Sequence, residues 1–412
     1  MKKYVCAFRG RRDSYQVPLA LAEGGMLDQF ITDAYASSSI RILARFLPER
    51  FREKVTSRWI DGIPIERVRC LWFSMLAEHV RHRLGCPRAR TFAQFDKRFS
   101  KAAAQRATRS CSDLFLYSPY AWEAFTASYP HSPRRILFQY HPHYDTEQRI
   151  LNQDAQRFPG VGESFSTGPL GELPEELLRR ERDVWRHADL TICASSFTRY
   201  SLIKAGCSET QCRVIPYGVE LPNRFAARRP KELRVLFVGS GVQRKGLHHL
   251  LYAWRQARLP ASSKLVIVCR VMDRGIESIA ANTPRIELHQ HVSRTRLNEL
   301  YEQSLFFVMP SLCEGFGQVY LEALAHGCPV LGTPNTGLPD VGDENDGVFC
   351  VEAGNVSALA SKLEILVQVL QNNTEVFIKA RACAARHSWD LFRSALRDSL
   401  QFDESGWMYT DA

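Results

Sequence analysis

Two carboxylates, Glu314 and Glu322, bracket a glycine loop in the run Glu314-Gly315-Phe316-Gly317-Gln318-Val319-Tyr320-Leu321-Glu322. The loop follows the apolar run Leu305–Met309 and leads into a helix. A helix start presents free N–H groups and partial positive charge, which suits a phosphate. Gly315 and Gly317 let backbone come close to such a group. Glu314 lies in the loop and Glu322 more than a turn into the helix, so spacing alone does not make them one acid–base pair. An ionised carboxylate only accepts hydrogen bonds, so each acid suits hydroxyls. Hydroxyls at both ends and phosphate between them describe a nucleotide sugar. The plain alternative is a helix-start acid at Glu314 and a surface residue at Glu322.

A second glycine loop, Phe237-Val238-Gly239-Ser240-Gly241-Val242-Gln243-Arg244-Lys245-Gly246, joins another strand to another helix. It lacks the third glycine of a dinucleotide fingerprint, and no acid stands ready for a ribose. A cation at a helix start, as at Lys245, is unfavourable unless something anionic meets it. Leu137 to His143 ends a strand with two histidines, His141 and His143. A metal set of these two completed by Asp145 is the weaker reading. Arg9-Gly10-Arg11-Arg12 follows the first strand and is unusually basic: an acceptor-side anion site or a solvated turn. Thr333–Gly337 faces the same cleft as a lining or a turn. The pairs His248/His249, His289/His291 and His79/His82 read as surface or packing residues.

The elements that must position these loops alternate strand and helix. Leu233–Val238, Lys264–Cys269, Leu305–Met309 and Pro329–Thr333 are short apolar runs, as strands covered on both faces should be. The helix carrying Glu322 stops at Gly327, with Pro329 beyond it. Earlier strands are expected at Tyr4–Phe8, Asp113–Tyr117, Arg135–Gln139, Asp189–Ala194 and Val214–Val219, with a helix starting at Ser195–Phe197. The pattern implies two α/β domains, each a doubly wound parallel sheet, facing a cleft. Boundaries are expected at 1–218 and 219–385, with a linker in Glu220–Pro230. Residues 386–412 form a helical segment returning to the first domain.

The chain has 412 residues and a formal net charge of +10. Residues 41–109 hold 17 Lys/Arg against 6 Asp/Glu, which accounts for the whole excess. Such a region suits an anionic partner, such as a membrane surface or a phosphorylated substrate. Residues 40–55 place Ile42, Leu43, Phe46, Leu47, Phe51 and Val55 among arginines. That is an interfacial helix broken by Pro48, or helices packed on the first sheet with a basic outer face. No nucleic-acid motif accompanies the charge. No signal-peptide core or bilayer-length apolar run is present, so a cytoplasmic protein is expected, peripheral at most on the inner face of the plasma membrane. Twelve cysteines without paired spacing suggest reduced, buried thiols. A Gly-x4-Gly-Lys-Ser/Thr loop is absent, which argues against phosphoryl transfer from ATP. An Asp-x-Asp is absent, which argues against a metal-bound diphosphate.

Pro310-Ser311-x-x-Glu314-Gly315-Phe316-Gly317-x4-Glu322-Ala323, then Gly327-x-Pro329-Val330, resembles the Glu-x7-Glu signature of retaining family 4 glycosyltransferases (glycosyl transferases group 1). The resemblance is clear from about Asp189 to Trp389 and partial at Asp113–Asp145. It implies the GT-B fold, two Rossmann-like domains with the N-terminal one binding acceptor and the C-terminal one binding nucleotide sugar. It implies catalytic roles for Glu314, Lys245 and His141. Donor contacts would come from Gly239, Ser240, Arg244, Gly315, Phe316, Gly317, Gln318, Val319 and Glu322, and acceptor contacts from Arg9, Arg11 and Arg12. The family commonly carries an arginine where Ser240 stands, and Arg244 is the candidate substitute. The implied activity moves a sugar from a nucleoside-diphosphate sugar to a hydroxyl of a glycan or lipid-linked acceptor, in cell-surface polysaccharide synthesis, with no metal and no cofactor. The alternatives are a nucleotide-sugar epimerase of the same fold and an inactive basic membrane- or glycan-binding module.

Overall fold

The computed structural model describes residues 2–37, 55–72, 88–162, 175–225 and 232–401, with single positions between 40 and 52. Most of the 40–55 stretch, His79, His82, residues 226–230 of the expected linker and the segment 402–412 lie outside the described residues.

The first domain is built on a seven-stranded sheet in the order β3-β2-β1-β4-β5-β6-β7. Its strands are β1 (Tyr4–Ala7), β2 (Leu27–Thr32), β3 (Val68–Cys70), β4 (Asp113–Tyr117), β5 (Arg135–Gln139), β6 (Leu190–Cys193) and β7 (Cys212–Val214). The second holds six strands in the order β10-β9-β8-β11-β12-β13. These are β8 (Arg234–Val238), β9 (Lys264–Val268), β10 (Ile286–His289), β11 (Phe306–Val308), β12 (Val330–Gly332) and β13 (Val348–Cys350). Every pairing is parallel, for example Tyr4 opposite Asp113 and Phe306 opposite Val235. The central strands are buried on both faces, which is why they read as continuous apolar runs. The expected doubly wound α/β architecture is therefore present twice. The strand expected over Val214–Val219 ends at Val214, because Pro216 has no N–H to give a ladder. The edge strands β3, β10 and β13 are short and partly exposed, so no apolar run marked them.

The helices used below are α1 (Gln16–Glu23), α2 (Arg88–Ser110), α3 (Tyr144–Arg157), α4 (Glu175–Asp183), α5 (Ser196–Lys204), α6 (Leu247–Gln256), α7 (Arg294–Gln303), α8 (Gln318–Ala325) and α9 (Trp389–Gln401). Ser195 caps α5, its hydroxyl accepting from the Thr198 N–H.

The chain crosses between the domains twice at one place. The Val219 N–H donates to the His387 carbonyl at 2.8 Å, and Val219 bridges to Ser388. Beyond that crossing α9 packs on α1, where Arg393 pairs with Glu23 at 3.0 Å. Arg134 and Arg213 donate to the Leu400 and Ser399 carbonyls, both at 3.0 Å. These two arginines satisfy the open carbonyls at the end of α9. Ahead of the described part of the second domain, Arg381 donates to the Pro222 carbonyl and lies over the Phe225 ring. Residues 220–225 thus run along the C-terminal domain.

Among the described residues no cysteine is in a disulfide, and most are buried. Among the same residues no helix is long and apolar enough to cross a membrane.

Candidate active site

Parallel strands end on one side of a sheet, so loops following β8 and β11 meet at that side. The structure brings Gln243–Lys245, after β8, against Cys313–Glu314, after β11. The Leu312 N–H donates to the Arg244 carbonyl at 2.9 Å, tying the two loops together. The Glu314 carboxylate then receives both cations. Arg244 Nη1 lies 2.7 Å from Oε1, and Lys245 Nζ is bonded to Oε2. Glu314 is only 7% exposed, and its carboxylate is engaged by these two cations. Burial opposes its ionisation, yet Arg244 and Lys245 outweigh that and hold the carboxyl well below the usual carboxylate range.

The direction of Arg244 was open in the sequence. Its guanidinium turns into the cleft, between Glu314 and Glu147 of α3, whose Oε1 lies 3.7 Å from Nε. Burial raises Glu147 above its ordinary pKa, with Arg244 opposing. Ser240, by contrast, is exposed. Two positive charges therefore stand at this loop, on adjacent residues.

The Glu314 loop is braced from both domains. Within its own domain, the Glu314 N–H donates to the Asn335 carbonyl at 2.9 Å. The Thr333 hydroxyl donates to the Ser311 carbonyl at 2.6 Å, and Asn335 Nδ2 to the Leu312 carbonyl at 2.8 Å. The 333–337 segment thus acts as a strut under the loop. From the first domain, the Thr198 hydroxyl of α5 donates to the Gly315 carbonyl at 3.1 Å. A Cβ on Gly315 would sit 1.7 Å from the Tyr140 carbonyl oxygen, so only glycine fits where the two domains touch. Phe316 is buried against Gly337 and the Tyr217 ring, so it is a packing residue of the loop. Gln318 and Val319, at the start of α8, are half-buried.

His141 lies beside that contact, its ring against Tyr140, with Nδ1 buried and unpartnered. Burial, then Arg244, lower its pKa to about 3, so it is neutral at physiological pH. His143 has a different job. Its Nδ1 accepts from the Asp145 N–H, capping α3, and Nε2 meets the Arg182 carbonyl at 2.9 Å. Asp145 itself pairs with Arg182 at 2.9 Å. His141, His143 and Asp145 therefore do not converge as a ligand set.

On the far side of α8, Glu322 pairs with Arg294 of α7 at 3.1 Å. The basic turn after β1 splits. Arg11 is exposed, Arg9 lies over the Phe92 ring, and Arg12 turns inward over Tyr140 at 4.3 Å, near Tyr117 and Tyr120. Arg12 Nε is buried without a partner. A solvated turn would leave all three in water. Asp96 of α2 faces the same space, and burial with Glu181 of α4 raises it to about 7.

His248 and His249 are buried, not surface residues. Both meet Asp154 of α3, a residue the sequence did not single out. Glu147 and Asp154 are seven apart on one helix and so share a face, but spacing gives no hint of the other domain's residues they meet.

Residues 232–369 match the family described as Glycosyl transferases group 1. The matched residues make up most of the C-terminal domain. The chain is similar to sulfoquinovosyl transferase SQD2 of Arabidopsis thaliana, 23% identical over 55% of this chain and 47% of that protein. It is also similar to the capsular polysaccharide biosynthesis glycosyltransferase CapM of Staphylococcus aureus, 31% identical over 32% of this chain and 36% of CapM. The matched stretch thus spans about half, or less, of these two curated relatives. Among solved structures, a sucrose-phosphate synthase from Thermosynechococcus elongatus superposes with a TM-score of 0.64 at 16% identity, over 97% of this chain and 98% of that one. Anabaena HepE, solved with UDP and glucose, gives 0.58 at 14% identity, over 97% and 99%. These likenesses establish the GT-B fold across both domains, and the Glu314–Lys245–Arg244 cluster lies inside the stretch that matches the family.

Proposed function

We propose that the protein is a retaining, metal-independent glycosyltransferase. It moves a sugar from a nucleoside-diphosphate donor to a hydroxyl of a glycan or lipid-linked acceptor, in cell-surface polysaccharide synthesis. The observation that carries this reading is the buried Glu314 carboxylate held by Lys245 and Arg244 at the interdomain contact. Only two of the carboxylate's roughly four acceptor sites are taken by these cations, so it can still receive sugar hydroxyls. The leaving diphosphate develops the largest charge. Lys245, Arg244 and the N–H groups at the start of α8 supply positive charge where it develops, without reorganising water. Glu322 holds the ribose, with Arg294 fixing its direction. Arg9, Arg11 and Arg12 face the acceptor side, and neutral His141 lies between donor sugar and acceptor. The basic composition of residues 41–109 supports seating against an anionic membrane that carries the acceptor. The relatives' names, a sulfoquinovosyl transferase and a capsular polysaccharide biosynthesis glycosyltransferase, agree with sugar transfer.

The test is a thermal-shift panel of nucleotide sugars, followed by transfer assays with the stabilising donor, since a bound donor raises stability with its occupancy. Glu314→Ala is expected to abolish transfer. Wild-type rates in that variant refute the assignment. Donor turnover without any acceptor points instead to an epimerase.

A further inference from the structure

One buried carboxylate of the first domain gathers three side chains of the second. Asp154 Oδ2 accepts from Gln243 Nε2 at 2.8 Å and meets His248 Nε2 at 3.1 Å. Oδ1 meets His249 Nε2 at 2.6 Å. Gln243 Nε2 also donates to the Leu151 carbonyl of α3 at 2.9 Å. Phe158 stacks edge-on against both histidine rings and seals the cluster. Burial opposes ionisation of Asp154, yet the hydrogen bonds from His248 and His249 hold its carboxyl below the usual carboxylate range, and burial lowers the pKa of His248.

All three donors belong to residues 243–249, the stretch that carries Arg244 and Lys245. The same stretch is fixed from its own domain at Gly246. A Cβ there would sit 1.9 Å from the Pro310 carbonyl oxygen, and φ is +68°, so that close seat requires glycine. The cation pair is thus held between Pro310–Leu312 on one side and Asp154 on the other. Neither Gln243 nor the two histidines reaches Glu314, so Asp154 acts only through the loop.

We infer that Asp154 is a positioning residue: by fastening Gln243, His248 and His249 across the domain interface, it sets Arg244 and Lys245 against the donor diphosphate. This rests on the donor reading of that loop. Removing Asp154 leaves three buried donors without an acceptor, and the loop must shift to find water. Asp154→Asn keeps the shape and one acceptor oxygen, and a histidine can change tautomer to accept from the amide.

The experiment uses the full chain. Affinity for the nucleoside diphosphate selected by the thermal-shift panel is measured by calorimetry, and kcat and KM are measured for donor and acceptor separately. Asp154→Ala is expected to weaken diphosphate binding and lower kcat/KM for donor by about 30-fold, within the effect range of lost buried hydrogen bonds to a charge. The acceptor KM stays put, and Asp154→Asn recovers most of the loss. Leu21→Ala, a buried side chain of α1, is the control of comparable destabilisation. Equal donor losses in Leu21→Ala and Asp154→Ala overturn the inference, as does unchanged diphosphate affinity in Asp154→Ala. If zinc stabilises the wild type after chelation and fails with His249→Ala, the cluster is a metal site and the inference also falls. A wild type that binds no nucleoside diphosphate at all counts against the donor reading itself.

Discussion

Replacing Glu314 by glutamine separates the two things its carboxylate does. The change keeps shape and one acceptor oxygen but deletes the charge between Arg244 and Lys245. Removing one partner of a buried ion pair costs about 3–5 kcal/mol. The Arg244 and Lys245 side chains are 22% and 17% exposed and regain some water, so roughly 2–3 kcal/mol is expected here. For a domain of this size that lowers the unfolding midpoint by roughly 4–12 °C. The sign of the pH dependence follows from the depressed carboxyl. Its contribution is fully present above the unfolded pKa, about 4.3, and is lost as pH falls through the folded value. Wild type and variant therefore converge in acid and diverge toward neutrality. Ligand binding moves the other way. With Glu314 neutral, Lys245 loses its counter-ion and Arg244 keeps only the longer contact to Glu147, so the pair is freer for diphosphate, and the product nucleoside diphosphate binds about tenfold tighter, one charge-assisted hydrogen bond's worth. Transfer falls below detection. Thermal unfolding across pH, titration calorimetry and a transfer assay read these three quantities. Midpoints within roughly one degree of each other and equal diphosphate affinity at neutral pH would show that Glu314 does not neutralise the pair.

Gly315→Ala puts a methyl into the Tyr140 carbonyl, so the domains must separate; transfer is expected to drop by about 100-fold or more while both domains stay folded by circular dichroism. Glu322→Ala is expected to raise the donor KM about tenfold with little change in kcat, and Arg294→Ala to do the same more weakly. Asp96 binds a proton in the folded state up to about pH 7, well above its unfolded value, so it lowers stability as pH rises from about 4 to 7. Asp96→Asn removes that slope and raises the midpoint at pH 8 relative to pH 5.

The parts of the site that could be read in the sequence are those built from one strand, one loop and one helix. The run from Pro310 to Glu322 carries its own glycines and its own stop at Gly327, so local pattern placed Glu314 at a strand end and Glu322 on a helix. Lys245 was legible because a cation at a helix start needs an anion. The direction of Arg244 was not legible, because the seat of Gly246 under Pro310 and the pull of Glu314 fix it, and both are long-range. Glu147, Asp154 and Arg294 meet the site's residues from other helices, and no spacing rule pairs a residue with one 28 to 97 positions away. The same limit hid the edge strands β3, β10 and β13, whose register is set by neighbours. For His248 and His249 the sequence left surface and packing open; their burial rests on the opposing Asp154 carboxylate, which no local pattern reveals.

The return of α9 to α1 has a consequence for how the chain is made. The first domain's sheet is complete once β7 has left the ribosome, but the groove on α1 stays open while the whole second domain is still being synthesised. At roughly 5–20 residues per second, the nearly two hundred residues between β7 and the end of α9 take some tens of seconds or less to appear. During that interval Glu23, the Arg134 and Arg213 guanidiniums and the apolar seat of Phe392 and Leu396 lack their cover. The first domain therefore gains its last cover only when the end of the second has been made.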